Sequence, residues 1–559
     1  GWANSVEVLL SCYLKNNPYT GRKIVFDYSK IRSKGTPLKT SGGKAPGYEG
    51  LKASHKKIKN LLDFIIEEKH QNRLKTINMY DILMYCSDAV LSGGIYRAAL
   101  SIVFMPDDLD MISAKTDFEV LRATRFEKNE KTGLYEGFVT INDSVYNGKK
   151  RIDVKLSEME YKYATEAKKI SWIHVHPQRA RSNNSVLLLR NECKLEDFKQ
   201  LISTIRQYGE PGFVFADDLD CLYNPCFEIG FKPVTKDGIC GVQFCNLTTL
   251  NGAKVKTEQD FYDFCKYQAI IGTLQATYTQ FRFLSPTAKQ LTEEESLIAC
   301  SITGIFSNPK ILLNPEILRK GAEVCKQTNL EWSKKLKIRP AARTTAIKPE
   351  GTGTLILAEN GDIPSPGIHA HHSKKYFRRV QCNKEDPVYQ YFKQINPHMC
   401  SESIWSNTKT DDVITFPINI TNPDVVTKDQ LTALDHLKYI RVLQKNWVLV
   451  GSTEWNAKNI SNNVSCTVDV GDDEWDDVMN YLYENRQYFS AVSLLSKIGD
   501  KIFKQAPLER VVDDEDEKLF NYLASNYTPV EYSKLIEYED NTEPLSESAC
   551  SGGKCDLVR

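Results

Sequence analysis

Apolar residues recur at helical spacing in three places early in the chain. Trp2, Val6, Leu9, Leu10 and Tyr13 share one face and predict a helix over residues 1–14. Ile58, Leu61, Leu62, Ile65 and Ile66 form a second stripe. Ile82, Leu83, Cys86, Ala89 and Val90 form a third, which Gly93 and Gly94 close. Residues 23–28 read as a strand, followed by a Gly-, Pro- and Lys-rich loop over 31–44. Farther on, short apolar runs at 96–104, 212–216, 354–358 and 465–470 alternate with helical patterns, which predicts an α/β architecture. Thr427-Lys428-Asp429-Gln430 has the form of a capping box opening a helix toward Val448. The polar stretch 105–165 reads as an insertion, and the acidic run 513–517 as a solvated helix start. Periodicity then fades. Residues 1–540 read as one catalytic body and 541–559 as a flexible tail.

Composition narrows the class. Lys+Arg and Asp+Glu each number 72, and this zero net charge argues against binding nucleic acid through bulk charge. No apolar run approaches the roughly 18 residues of a membrane span, and no secretion signal opens the chain. Fifteen scattered cysteines, with no CxxC pair, fit a reducing, cytoplasmic compartment and no structural zinc site. His369, His371 and His372 read as surface or phosphate-neighbour residues of a loop rather than metal ligands, and no metal is expected. His174 and His176 alternate as on a strand, facing one side.

Five motifs carry chemistry. Cys550 and Cys555 sit in the tail with Gly552 and Gly553 between them, a spacing that suits a redox shuttle. In Asn224-Pro225-Cys226-Phe227-Glu228, alternation puts amide, thiol and carboxylate on one side of a loop. A nearby carboxylate disfavours a thiolate but does not hinder a thiol that donates a hydrogen atom. Cys245 lies a hairpin's length on, with Cys240 as a competing candidate. Lys348, Gly351, Thr352 and Thr354 suit a phosphate cradle. Ser182, Asn183, Asn184 and Ser185 are dense in short hydrogen-bonding side chains.

In this order, and over nearly the whole chain, these motifs resemble the catalytic subunit of ribonucleotide reductase. The form of the Asn-Pro-Cys segment and the tail resemble the class II, adenosylcobalamin-dependent, monomeric triphosphate reductases in particular. The resemblance implies a ten-stranded α/β barrel threaded by a finger loop. It implies that Cys226 carries a thiyl radical, Glu228 acts as base on the ribose 3′ hydroxyl, and Asn224 binds the ribose. Cys245 would be one of two reducing thiols, and Cys550 and Cys555 would re-reduce the disulfide with a thioredoxin-like partner. Lys348, Gly351, Thr352 and Thr354 would hold substrate phosphates with Ser182, Asn183, Asn184 and Ser185. Arg32, Lys34, Gly35 and Lys39 would belong to the loop that relays the identity of a deoxynucleotide effector. The protein would be a monomer or weak dimer that touches neither nucleic acid nor membrane.

Two departures stand against the pattern. The family's first reducing cysteine lies N-terminal to the matched segment, which reads as a partial barrel that a complementing fragment would complete. Glu350 stands where the triphosphate reductases carry a small polar residue. Two other readings are a class I large subunit with a separate radical-generating subunit and an inactive nucleotide-binding relative. Against the first, Tyr527, Tyr532 and Tyr538 do not form the expected adjacent pair.

Overall fold

The computed structural model describes residues 1–535 apart from 37–44, 69, 71, 90, 93–94, 97–98, 125, 131–132, 144–145, 147, 352, 360–362, 405–410, 457–458 and 498–504. The expected α/β organisation is present. Strands Leu100–Phe104, Ser182–Leu189 and Gly212–Ala216 run parallel, with Ser182–Leu189 in the middle. The Phe215 N–H then donates to the Ser490 carbonyl at 2.7 Å. Just beyond, Ser493–Ser496 pairs in parallel with Thr467–Val470. Val464 bridges Ile347, Thr345 bridges Cys300, and Ile298–Thr303 pairs in parallel with Asn246–Asn251. Backbone hydrogen bonds thus join these segments into one continuous series.

Parallel strands covered by helices are apolar on both faces, and Ile298–Thr303 is buried at every position. Helix Leu195–Tyr208 shows how sequence builds the cover. Phe198, Leu201, Ile202 and Ile205 are its buried stripe, and Gly209 ends it in the left-handed region at φ 74°. Phe198, Phe213, Phe215, Phe261, Phe306 and Trp447 belong to the main core between strands and helices.

Two antiparallel sheets are attached to this series. The stretch read as an insertion contains strands Phe118–Ala123, Glu127–Lys128, Tyr135–Asp143 and Gly148–Leu156, which Lys169–Ile170 joins from just beyond its end, around a core of its own that includes Val139, Ile141, Val154 and Leu156. Its polarity has a simple cause: Gly148–Leu156 is mostly exposed. A second sheet pairs Lys375–Asn383 with Asp411–Asn419 and Leu508–Arg510, over a core that includes Phe377, Tyr389, Phe392 and Phe520.

Helices Trp2–Ser11, Glu49–Asp63 and Thr76–Asp88 carry the three early stripes. Other expectations need correction. Residues 23–28 form no strand: the Phe26 ring stacks on His55 at 4.2 Å and the Tyr28 hydroxyl bonds to the same ring at 2.9 Å, so aromatic packing replaces sheet pairing. Gly353–Ile356 is a helical turn rather than a strand, with Ile356 exposed. The capping box at Thr427 and Gln430 forms but closes only a single turn; Thr432 caps the helix proper, Ala433–Leu443. His174 and His176 lie at a helical turn, Trp172–Val175, and its end. Pro177 bends the chain there, and the two rings meet different carboxylates, Glu160 and Asp143, each at 2.9 Å. Gly93 and Gly94 lie outside the described residues.

The turn Pro177–Arg181 is tied to helix Thr76–Asp88 by a buried ion pair. Arg179 donates to both carboxylate oxygens of Asp81, at 2.9 and 2.8 Å. Gln178 and Tyr146 also bond Asp81, joining the insertion to the same point. Both partners are 0% exposed. Arg179→Ala strands a buried carboxylate and is expected to cost about 3–5 kcal/mol. Replacing both partners by apolar residues recovers most of that loss. Guanidinium unfolding of the two variants measures the difference.

Candidate active site

The central feature is a short hairpin. Leu222–Tyr223 pairs antiparallel with Gly230–Phe231, and residues 224–229 form its tip. Local bonds fold the tip. The Asn224 Oδ1 accepts from the Ile229 N–H at 2.9 Å, and the Asn224 carbonyl accepts from the Phe227 N–H at 2.8 Å. Phe227 adopts φ 59° and stacks on Tyr223 with ring centroids 5.9 Å apart.

Distant segments then fix the tip by its backbone. The Asn463 N–H donates to the Glu228 carbonyl at 2.9 Å, and its side-chain amide to the Phe227 carbonyl at 2.9 Å. The Ser465 hydroxyl donates to the Cys226 carbonyl, and the Asn183 amide to the Pro225 carbonyl at 3.3 Å. At the base, the Gly230 N–H donates to Asn462 Oδ1 at 3.2 Å. The Gly230 carbonyl accepts from Arg343 Nη2 at 3.2 Å. A Cβ on Gly230 would stand 2.4 Å from the Ser461 carbonyl oxygen, so only glycine fits this approach. Arg343 is itself buried and held by both carboxylate oxygens of Glu295, at 3.2 and 3.0 Å.

The functional groups on this loop differ sharply in environment. Cys226 is exposed. Glu228 is 2% exposed, and its Oε2 has no hydrogen-bond partner. Burial pushes its carboxyl above the ordinary range; an Asn224 hydrogen bond and the Lys348 ammonium pull the other way, and Glu350 adds to the rise. Asn224 therefore braces both the loop and the carboxylate. Cys245 joins the same neighbourhood: Ile229 lies in an apolar cluster with Leu297, Ala299, Ala342 and Ala346, and Cys245 packs against it. Burial raises the Cys245 thiol, with Glu228 and Cys300 adding to the rise and Arg343 opposing it, so it is held protonated. Cys240 is exposed and bridges Val234 instead.

The phosphate-cradle segment begins beside these groups. The Lys348 N–H donates to Ser301 Oγ at 2.9 Å, and its ammonium pairs with Glu350 Oε1 at 3.2 Å. The Thr354 hydroxyl donates to the Gly351 carbonyl at 3.0 Å; Gly351 is exposed. Thr352 lies outside the described residues, as do Lys39, Cys550 and Cys555. The Ser182–Ser185 run splits between faces. Ser182 and Asn184 bond each other at 2.9 Å and Ser182 meets the Tyr80 hydroxyl at 2.9 Å, while Asn183 turns to the hairpin. Ser185 packs over Gly212. Arg32, Lys34 and Gly35 are exposed at the base of their loop, which hydrogen bonds between 35–36 and Ala45 close.

His369 is committed to backbone, with Nδ1 on the Pro366 carbonyl and Nε2 accepting from the Thr467 N–H, both at 3.0 Å. The His371 ring bonds to Ser307 at 2.9 Å, and burial pushes it down to about 4. Sequence reasoning assigned no role to Arg343, Asn462, Asn463 or Ser465. The signals for them were a lone charge among small residues, in Ala341-Ala342-Arg343-Thr344, and a polar cluster directly ahead of an apolar strand.

No family model matches the chain. Curated relatives match it from end to end. A probable adenosylcobalamin-dependent ribonucleoside-triphosphate reductase of Dictyostelium discoideum is 24% identical over 582 residues, covering 100% of this chain and 63% of the relative. The adenosylcobalamin-dependent ribonucleoside-triphosphate reductase of Euglena gracilis is 22% identical, covering 99% of this chain and 65% of the relative. The chain thus spans just under two thirds of the length of these relatives. Among solved structures, a B12-dependent class II ribonucleotide reductase superposes with a TM-score of 0.67 at 19% identity, covering 94% of this chain and 68% of the other. No described helix is long and apolar enough to cross a membrane. The resemblance read from the motifs is borne out: along its whole length the chain is similar to adenosylcobalamin-dependent ribonucleoside-triphosphate reductases, and its fold is like that of a class II ribonucleotide reductase.

Proposed function

We propose that this chain carries the thiyl-radical site of a cytoplasmic ribonucleotide reductase that converts ribonucleoside triphosphates to 2′-deoxyribonucleotides. The strand series is read as part of the family's ten-stranded barrel, with the hairpin as its finger loop. One observation carries the proposal: an exposed Cys226 thiol stands two residues from a buried Glu228 whose Oε2 lacks a partner. A buried carboxylate oxygen without a donor is costly unless a ligand supplies one. A ribose hydroxyl supplies that donor.

Cys226 is the residue that would meet the cofactor. Its exposure on a backbone-anchored loop fits attack by an external radical source, since the thiol is reachable and its carrier is fixed. Cys226 would receive that radical from bound adenosylcobalamin, whose cobalt–carbon bond would supply it by homolysis. The Cys226 thiyl then takes the 3′ hydrogen atom, and Glu228 accepts the 3′ hydroxyl proton. The 2′ hydroxyl leaves as water with a proton from a thiol. Two thiols, Cys245 and a partner that the resemblance sets in the family's N-terminal part, supply two electrons and become a disulfide. Cys226 returns the hydrogen atom to C3′ at the end and is a thiyl again. Thiol exchange through Cys550 and Cys555 then restores the pair at the expense of a thioredoxin-like reductant. Lys348, Gly351, Thr352 and Thr354 bind substrate phosphates, and the 31–44 loop answers to deoxynucleotide effectors.

Three outcomes test this reading. Cys226→Ala abolishes cobalamin-dependent reduction of CTP or ATP and leaves nucleotide binding intact; surviving turnover refutes the thiyl role. Product formed only with an added diiron radical subunit moves the chain to class I. Glu228→Gln lowers turnover by about 10²–10⁴-fold. The same variant has a stability signature. The folded state holds the Glu228 proton more tightly than the unfolded chain does, so ionisation costs stability as pH rises past the ordinary value of 4.5. Glu228→Gln is therefore more stable than the parent at pH 8, with the gap closing near pH 4, as denaturant midpoints across pH reveal. Joint Cys550→Ser and Cys555→Ser substitution removes thioredoxin-supported turnover and spares turnover driven by dithiothreitol. Equal loss with both reductants assigns the tail a structural role.

A further inference from the structure

Glu350 is out of place by ordinary rules. Its side chain is 1% exposed, yet it carries a carboxylate. Its backbone holds φ 58°, the left-handed region where glycine or asparagine is at home. Its Oε1 lies 3.2 Å from the Lys348 ammonium and has no hydrogen-bond donor besides. Its Oε2 lies across Gly353, only 2.1 Å from where a Cβ on that glycine would stand. The carboxylate is therefore laid over the bare backbone of Gly353, against Lys348.

We infer that Glu350 is a built-in anion that occupies the cradle proposed for substrate phosphates and limits how tightly the cradle holds a triphosphate group, more than it would limit a diphosphate. The inference rests on the reading of Lys348, Gly351 and Thr354 as that cradle. Lys348 supplies a single positive charge, and Glu350 cancels it. Glu228 is close enough to feel both, so the described charges of the cradle do not favour a further anion. An incoming phosphate must take Lys348 from Glu350 and then lie beside the displaced carboxylate. That penalty grows with the charge of the arriving group, so it weighs more on a triphosphate than on a diphosphate. Glu350 thus acts as a specificity-determining residue through electrostatics rather than through contact with base or sugar.

The test is equilibrium binding of inorganic triphosphate and pyrophosphate to the full chain, with Glu350→Gln and Glu350→Asn. The second variant tolerates the left-handed backbone and guards against a failure of folding. Triphosphate binding is expected to tighten by about tenfold or more, since a unit charge a few ångströms away in a partly buried site outweighs thermal energy. Pyrophosphate gains less, and the difference shrinks in high salt. Equal gains for both anions, or weaker binding in both variants, overturn the inference and make Glu350 a support for the turn. Lys348→Gln separates this failure from failure of the cradle itself. If Lys348→Gln weakens both anions while the Glu350 variants change neither, the cradle stands and the inference falls. If Lys348→Gln changes nothing, both fall.

Discussion

A thiol at the tip of a hairpin has few neighbours of its own, so whatever holds it still must come from elsewhere in the chain. Here the hold is on the backbone. Four successive carbonyls, from Pro225 to Glu228, accept hydrogen bonds from Asn183, Ser465 and Asn463. The anchors belong to strands and loops far apart in sequence, and they meet only because the strand series brings them round the hairpin. Gripping carbonyls leaves side chains unencumbered. Cys226 stays exposed while its carrier is fixed, which a side-chain clamp would not allow.

The same arrangement explains why a buried, orphaned carboxylate persists. Glu228 loses hydration and keeps one unpartnered oxygen, a cost that a structure without a ligand does not repay. Asn224 and Lys348 limit that cost; Glu350 adds to it. Below, Arg343 is paired with Glu295 so that its charge is satisfied before it bonds the Gly230 carbonyl. The hairpin is therefore bracketed by a neutralised pair at its base and an unsatisfied carboxylate at its tip. Polar groups hold the backbone at one end and leave a carboxylate oxygen unsatisfied at the other.

How much of this was legible depends on whether the signal was local. The stripe at Ile58, Leu61, Leu62 and Ile65 defines a helix face by itself, and the structure buries all four residues. The alternation of Asn224, Cys226 and Glu228 predicted three groups on one side of a loop; the loop is there, with Cys226 exposed and Glu228 buried. What failed was local pattern overruled by distant contact. Residues 23–28 carry a strand-like sequence, but His55 offers Phe26 and Tyr28 a ring to stack on. Arg343 and Asn463 were given no role because the hairpin residues they bond, Gly230 and Phe227, lie more than a hundred residues away in each case. The second antiparallel sheet was missed for the same reason: Lys375–Asn383 and Leu508–Arg510 pair across a long separation.

The two attached sheets also bear on how the site is kept rigid. Each has a hydrophobic core separate from the main one, so neither needs the strand series for its own burial. The insertion meets the rest of the molecule partly by packing, since Met111 and Ala114 belong to the main core, and partly through a polar knot, in which Tyr146 and Gln178 join the Asp81–Arg179 pair and His176 binds Asp143. Charged and hydrogen-bonded contacts of this kind demand geometry as apolar contacts do not, because a small displacement strands a buried charge. Arg179 is followed within four residues by Ser182 and Asn183, where the central strand begins and the hairpin is first gripped. The knot therefore fixes the entry of the strand that supplies one of the hairpin's anchors, and hydrogen bonds add to apolar packing in setting the insertion's position relative to that strand.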